Sequence, residues 1–391
     1  MYGNVAFALS VNSVRRLDLE AETRMCRRPG ASLPRRAALG FAGAVPALAS
    51  VGLSKAGQVG AGPPGGEAAF RAEWRSFLQR YVAEEGRVVD TGNGGISHSE
   101  GQGWALLFAE HAGDRAAFDR ILSWTERALR RERDALHAWR YRPGAPVPVD
   151  DPNNATDGDI CVAWSLVRAS RRWANTAYLR AGKAIARDIL RVLLRQAGPF
   201  TVLLPGAGGF EDAETLVVNP SYYVFPAFDA LTRALPDPRW PRLAQDGLRL
   251  LRHAAFGRWG LPPDWLRLAK RDGAASLPDA WPPRFSYDAV RVPLYVAWAG
   301  LDEPVLARAA AFWSDATHRL VPAWADLATD AVSPYAASPG TLAVAQFVLA
   351  GRSQDGLAVG LPPVSAAPDY FAAALTLLAR LAAAEQSALR R

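Results

Sequence analysis

Cysteine is nearly absent from this chain: 391 residues contain two, Cys26 and Cys161. Cys26 falls in a basic leader, so a processed chain would keep Cys161 alone, and an intrachain disulfide framework is excluded. Cys161 lies on the apolar face of a predicted helix, the setting of a small buried hydrophobe rather than of a reactive thiol. Histidine is scarce as well, five in all and none at metal-ligand spacing, and neither HExxH nor a CxxC pair occurs. No metal and no cofactor are therefore expected. GxSxG, a Walker loop and GxGxxG are also missing, which removes the serine-hydrolase, phosphate-loop and dinucleotide-binding readings. Convincing β alternation is confined to short pieces such as Val202 to Leu204, and no fixed-length repeat recurs.

Charge of one sign is scarce too, once the leader is set aside. The net charge is +7, but residues 1–60 hold eight Lys/Arg against three Asp/Glu, leaving 37 basic and 35 acidic residues beyond. No basic stripe with interleaved aromatics stands out there, so nucleic acid is not an expected partner. The leader runs Cys26-Arg27-Arg28, then Ser32-Leu33-Pro34-Arg35-Arg36, then an uncharged Ala- and Gly-rich stretch from Ala37 to Ser54 with an A-x-A site at Ala47-Leu48-Ala49. It resembles a twin-arginine export signal, which implies a periplasmic or secreted protein. Met25 lies a suitable distance upstream to be the start, which would make residues 1–24 an upstream extension. The alternative, a membrane anchor, is poorly served by a segment barely long enough and so rich in Gly and Ala. We divide the chain into a leader and linker over 1–66 and one catalytic domain over 67–391.

Beyond the Gly/Pro-rich linker around Gly60 to Gly66, apolar residues recur at i, i+3 and i+4 with Gly/Pro punctuation between segments. The pattern predicts helices over 67–84, 99–112, 115–131, 157–173, 177–195, 220–233, 239–253, 290–299, 303–315, 339–350 and 368–386. They come in pairs, an Ala- and Trp-rich helix followed by a more amphipathic, Arg-rich one. An inner ring enclosed by an outer ring satisfies both patterns, because a helix apolar on most sides needs partners on most sides. The expectation is an all-α fold, an (α/α)6 barrel; an open solenoid is the structural alternative.

Acidic residues stand at three predicted helix starts. The run Gly86 to Gly103, GRVVDTGNGGISHSEGQG, delivers Glu100 out of a glycine-rich loop, with Ser99 and Gln102 spaced as a capping box. In Asp151-Pro152-Asn153-Asn154-Ala155-Thr156-Asp157-Gly158-Asp159, Thr156 is a candidate N-cap and Asp157 and Asp159 fall in the first turn. In Arg284 to Pro293, RFSYDAVRVP, Pro293 belongs in a first helical turn, which puts Asp288 just ahead of it. Inner helices of an alternating barrel all begin at one end, so the three acids would share one cleft. Each could instead be a helix cap and nothing more, the preferred reading for Asp159. His98, beside Glu100, could touch substrate or simply hold the loop. Trp139, Tyr141, Tyr222, Tyr223, Tyr287, Trp259, Trp265 and Trp281 supply flat apolar faces on which sugars stack, although most of the 13 tryptophans are expected in the core.

These residues carry a resemblance. GRVVDTGNGGISHSEGQG, DPNNATDGD, NPSYYVFPAF at Asn219 to Phe228 and YDAVRVPLYVAW at Tyr287 to Trp298 look like glycoside hydrolase family 8, and most of all its exported endoglucanases encoded beside bacterial cellulose synthases. The similarity covers most of residues 67 to about 300 and is weaker beyond. It implies an (α/α)6 barrel, endo-acting cleavage of β-1,4-glucan, and inversion at the anomeric carbon without metal. By the same resemblance Glu100 would be the general acid, Asp288 the general base, and Asp157 would hold the sugar at the cleavage point; Trp139, Tyr222, Tyr287 and Arg291 match substrate-contacting positions. The chain departs from the commoner motif at Trp104-Ala105, where Tyr-Gly is frequent, and at Cys161. The partner implied is a β-glucan polysaccharide, with cellulose synthase machinery as a possible associate and a monomer as the expected state. Without a visible carbohydrate-binding module, activity on crystalline cellulose should be weak. Two alternatives remain: a relative cutting chitosan, xylan or mixed-linkage glucan, and a non-catalytic glucan-binding component of a cellulose-export assembly, which would not need these isolated carboxylates.

Inverting hydrolysis asks one carboxyl to donate a proton while another activates water. A helix start favours the charged form of Glu100, whereas a general acid must keep its proton. Burial beneath the sugar or repulsion by Asp157 must outweigh the dipole. Asp157→Asn is therefore expected to make Glu100 release its proton at lower pH.

Overall fold

The computed structural model describes residues 66–351 and 360–389. The leader, with its arginine pairs and cleavage motif, lies outside the described residues. Eleven α-helices occur among those described: α1 Gly66–Tyr81, α2 Ser99–Ala112, α3 Arg115–Leu129, α4 Thr156–Arg172, α5 Thr176–Val192, α6 Phe225–Ala234, α7 Arg239–His253, α8 Arg291–Trp298, α9 Pro304–Trp313, α10 Pro339–Gly351 and α11 Tyr370–Leu389. None is long and apolar enough to cross a membrane.

Burial separates them into two sets. Every residue of α4 from Thr156 to Val167 is buried, whereas α5 buries only the stripe Tyr178, Gly182, Ile185, Ala186, Ile189 and Leu190. The first pattern requires neighbours all round, the second a core on one side and water on the other. Helices α2, α4, α6, α8, α10 and α11 form the inner ring; α2 packs on α4, α4 on α6, α6 on α8, α8 on α10 and α11, and α11 closes onto α2. Helices α1, α3, α5, α7 and α9 lie outside. This is the (α/α)6 barrel expected, and the closure of α11 onto α2 rules out the open solenoid.

All six inner helices begin at one end. Residues at or just before the starts of α2, α4, α6 and α8 gather around Arg291 there, Tyr370 of α11 lies against Gly101 of α2, and Tyr335, shortly before α10, meets Tyr287. Short strands decorate the chain between helices. Ser97–His98 (β1) pairs with Arg140–Tyr141 (β2); Leu194–Ala197 (β3) with Phe200–Leu203 (β4); Thr215–Val218 (β5), Leu266–Ala269 (β6) and Ala275–Ser276 (β7) form one antiparallel sheet; Arg284–Phe285 (β8) pairs with Ala325–Asp326 (β9). At the opposite end, Arg168 of α4 donates Nε to Glu110 of α2 at 2.6 Å and bonds Glu385 of α11, whose other oxygen accepts the Trp298 indole of α8 at 2.8 Å. One part-buried network thus ties four inner helices together.

Several predicted boundaries shift by two or three residues, and two of the changes have a clear local cause. The helix read over 177–195 stops at Val192, because Gly198 turns the chain at φ +53° and pairs β3 with β4. The helix read over 220–233 breaks into a 3-10 turn, Pro220–Tyr222, and α6; Pro226, with no N–H to give, fits the first turn of α6.

Candidate active site

Close approach of α2 and α4 builds the centre of the site. Gly158 permits it: a Cβ there would stand 2.4 Å from Ser99 Oγ and 2.6 Å from the Glu100 nitrogen. One turn deeper, a Cβ on Gly103 would meet Cys161 Cβ at 2.7 Å, and Cys161 is buried as expected, its thiol pushed well up by burial. The two N-terminal turns therefore lie backbone to backbone, and Glu100 and Asp157 become neighbours.

Local capping differs from the expectation. The N-cap of α2 is His98, whose Nδ1 accepts from the Gly101 N–H at 3.1 Å while Nε2 faces Asp90 at 3.3 Å. No capping box forms between Ser99 and Gln102. Gln102 is buried and spans inward, accepting from Val88 N at 2.6 Å and donating to Thr125 Oγ1 at 2.8 Å, so it pins the 86–98 loop to α3. His98 holds that loop. Burial works to lower its pKa, but the hydrogen bond and charge of Asp90, with Glu100 and Asp157 behind, lift it above the usual value. Thr156 is the first residue of α4, not its cap, and donates to Leu204 O at 2.7 Å.

Arg291 is the hub. It is 1% exposed, and its guanidinium bonds all three acids: Nη1 to Glu100 and to Asp157 Oδ2 at 3.0 Å, Nη2 to Asp288 Oδ1 at 2.6 Å. The three helix-start acids therefore do converge. The aromatic faces of Trp104 and Tyr222 lie 5.4 and 5.9 Å from the guanidinium carbon. Arg291 matched a substrate-contacting position by resemblance; here its donors are turned to the carboxylates, and it orders the acids from behind.

Three carboxylates against one guanidinium leave excess negative charge, and their proton affinities follow. Asp157, fully buried, is pushed well above the usual carboxylate range, first by burial, then by the charge of Glu100 and a hydrogen bond with it. Glu100 and Asp157 meet on the same guanidinium nitrogen, and a carboxyl of raised proton affinity so placed can hold a proton within reach of Glu100. Asp288 is raised by burial foremost and by Asp157, against Arg291 and Asn219, which favour its charged form. Its side chain remains 31% exposed and open to water.

Asp159 is structural, as its preferred reading held, but not as a cap. It is fully buried and accepts from His137 N and faces His137 Nδ1, both at 2.9 Å, and accepts from Asn154 Nδ2 at 3.0 Å. Burial opposes protonation of His137, but Asp159 and Glu126 outweigh it and lift the imidazole to about 9. The charged ring fastens the segment that carries Trp139 to α4.

The aromatics divide. Trp139 is half-buried, its indole donating to Asp151 at 2.9 Å beneath the Arg140 guanidinium. Tyr287 is 42% exposed, beside Tyr335 and Phe371. Tyr222 adjoins the acids and Trp265, and Trp265 stacks on Trp281 at 5.1 Å. Tyr223 is core, its hydroxyl accepting from Leu203 N at 3.1 Å, and Trp259 packs on Phe312 of outer helix α9. Sequence reading passed over Asp264. It sits in Pro262-Pro263-Asp264-Trp265, and a carboxylate locked between two prolines and an aromatic was the available signal. Its Oδ1 accepts from Ser286 N at 3.0 Å and Ala289 N at 2.7 Å, on both sides of Asp288.

Comparison with known proteins adds the following. The family model for glycosyl hydrolases family 8 matches residues 42–385. A probable endoglucanase of Novacetimonas hansenii is 46% identical over 320 residues, 82% of this chain and 92% of its own length. An endoglucanase of Cellulomonas uda is 39% identical over 276 residues, 71% of this chain and 77% of its own. The solved endo-β-1,4-glucanase CMCax from Acetobacter xylinum superposes with a TM-score of 0.78 at 45% identity, covering 82% of this chain and 99% of that one.

Proposed function

The chain belongs to the glycosyl hydrolases of family 8, and we propose that it cuts β-1,4-glucan by an inverting reaction in which Glu100 is the general acid and Asp288 the general base. It is a glycoside hydrolase, an endo-β-1,4-glucanase, as its relatives at 46% and 39% identity are endoglucanases. The observation that carries the role assignment is the convergence of Glu100, Asp157 and Asp288 on Arg291 at the end where the inner helices begin.

In this reading the proton held between Glu100 and Asp157 goes to the leaving glycosidic oxygen as the C1–O bond breaks. Asp288 takes a proton from the water that bonds to C1 on the opposite face. Inversion asks for roughly 6.5–9.5 Å between the two carboxyl groups, room for the water that Asp288 activates. Glu100 gains negative charge as Asp288 loses it, so the guanidinium that touches both meets the same total charge before and after. That keeps the electrostatic setting fixed through the step and needs no reorganisation of the buried cation. Asp157, too enclosed to meet bulk water, serves as the proton's second holder and supports the sugar at the cleavage point. Trp139, Tyr222 and Tyr287 offer apolar faces for sugar rings; Arg291 acts on substrate through the acids it orders.

Export by a twin-arginine route to the periplasm or medium is supported by the arginine pairs, apolar stretch and A-x-A site of residues 27–49. A role beside a cellulose synthase, trimming nascent glucan, rests on the resemblance to endoglucanases encoded with such synthases; loss of ordered cellulose on gene deletion would test it. For the activity, viscosity and reducing ends are followed on carboxymethylcellulose. The expected result is a fast viscosity drop with few new ends, lost by at least about 100-fold in Glu100→Gln while cello-oligosaccharide binding survives. Full turnover by that variant would remove Glu100 from its role.

A further inference from the structure

A second buried carboxylate stands behind the proposed base. Asp264, 9% exposed, lies between the β5–β6–β7 sheet and the turn that presents Asp288. It is bound to that turn at four points. Its backbone N–H donates to Arg284 O at 2.7 Å, its Oδ1 takes the Ser286 and Ala289 N–H groups, and its Oδ2 takes the Ser286 hydroxyl. Residues 284, 286 and 289 bracket Asp288, so the aim of that side chain is set by a carboxylate from another part of the chain. Capping α8 does not explain the arrangement, because α8 starts at Arg291, beyond all three contacts.

We propose that Asp264 is a positioning residue for Asp288, fixing the turn that aims it and strengthening it as a base through its own negative charge. The inference rests on the reading of Asp288 as general base. Asp264 takes up that charge within the working range: burial, then the charge of Asp288, push its carboxyl up to about 7, against the Ser286 and Ala289 hydrogen bonds that favour the ionised form. The other charged or titratable groups around the turn are Tyr287 on the turn itself, with Tyr335 against it; Arg291 and, through it, Asp157 and Glu100; Tyr222 on the turn before α6; Arg284 on β8; and Asp326 opposite it on β9. Arg291 is saturated by three carboxylates and Arg284 lies over Trp324 at 4.0 Å, so neither cation forms an ion pair with Asp264. Below about pH 7 Asp264 is neutral and acts through its hydrogen bonds alone. Above it, a negative charge close to Asp288 raises that carboxylate's affinity for the proton of the attacking water.

The test compares full-length wild type with Asp264→Asn, whose amide oxygen can still accept both backbone N–H groups. Measured are kcat and KM on a cello-oligosaccharide between pH 5 and 9. The expected result is a kcat lowered only about threefold at pH 5, where the Ser286 hydroxyl contact alone is altered, with KM within about twofold, and a deficit that grows severalfold as pH rises through 7. A deficit that is flat with pH, or a kcat within twofold of wild type throughout, overturns the proposal. Should Asp264→Asn fail to fold, Ser286→Ala tests the same point. It removes one hydrogen bond to the ionised carboxyl and should move the pH-dependent change in kcat above 7; an unmoved change contradicts the proposal. Asp288→Asn separates the two levels: its full turnover sinks the base assignment itself, whereas its inactivity beside a flat Asp264→Asn deficit sinks only the role of Asp264.

Discussion

In the proposed mechanism Glu100 and Asp157 divide between them what a general acid needs. Glu100 reaches the cleft, and Asp157, buried beneath it, has a raised proton affinity that opposes the helix start and Arg291, which favour the charged forms. The shift on Asp157 is upward, so its carboxyl holds its proton to higher pH than an ordinary aspartate. Asp157→Asn removes both the negative charge and the shared hydrogen bond. The basic limb of the kcat/KM profile, where the acid loses its proton, should then move to lower pH, on top of a fall in kcat. A basic limb at the wild-type position would contradict proton sharing. The sequence located all three acids because each is marked by turn formers or a proline at a helix start. It did not reveal that one arginine would bind them all, since Arg291 lies 191 and 134 positions from Glu100 and Asp157. Asp264 was harder to read for the same reason: the prolines and tryptophan beside it mark a fixed turn, but the partners of its carboxylate come 22 and 25 positions later.

At the scale of helices, the site depends on how closely two N-terminal turns can approach. Gly158→Ala would drive a methyl group into Ser99 Oγ and the Glu100 nitrogen, at 2.4 and 2.6 Å, and backbone cannot swing away as a side-chain tip could. Separation of α2 from α4 should cost about 1–3 kcal/mol of stability. A displacement of Glu100 approaching 1 Å should lower kcat by up to about 100-fold. Urea unfolding and turnover on carboxymethylcellulose check the two effects; wild-type activity in a stably folded variant would show that the approach is not what sets the site. The helices themselves were legible from periodicity, inner from outer included, because burial on all sides and burial on one stripe leave different patterns. What local pattern could not supply was the identity of the caps. Ser99 and Gln102 satisfy the capping-box spacing, yet Gln102 finds Val88 N and Thr125 Oγ1 in the buried interior, and His98 takes over the cap. Tertiary partners won over a local motif of similar strength.

Across the whole molecule, the barrel keeps its chemistry at one end and a separate polar clasp at the other. Arg168, Glu110, Glu385 and Trp298 join α4, α2, α11 and α8 far from the acids. Glu385→Ala would leave the Arg168 cation with one partner and the Trp298 indole with none. About 2 kcal/mol of stability should be lost, since the group is only partly screened by water. kcat and KM at 25 °C should stay within twofold of wild type, and a large loss of kcat without loss of stability would show that the two ends are coupled. The ring also explains why three acids distant in sequence stand together: parallel inner helices bring all their first turns to one mouth. The central claim is that a proton is given from Glu100 while Asp288 drives water onto the opposite sugar face. Proton NMR of a fresh digest of cellohexaose tests it most directly. The account predicts that the α-anomer of the new reducing end appears first and the β-anomer only later by mutarotation; a β-anomer formed first would contradict it.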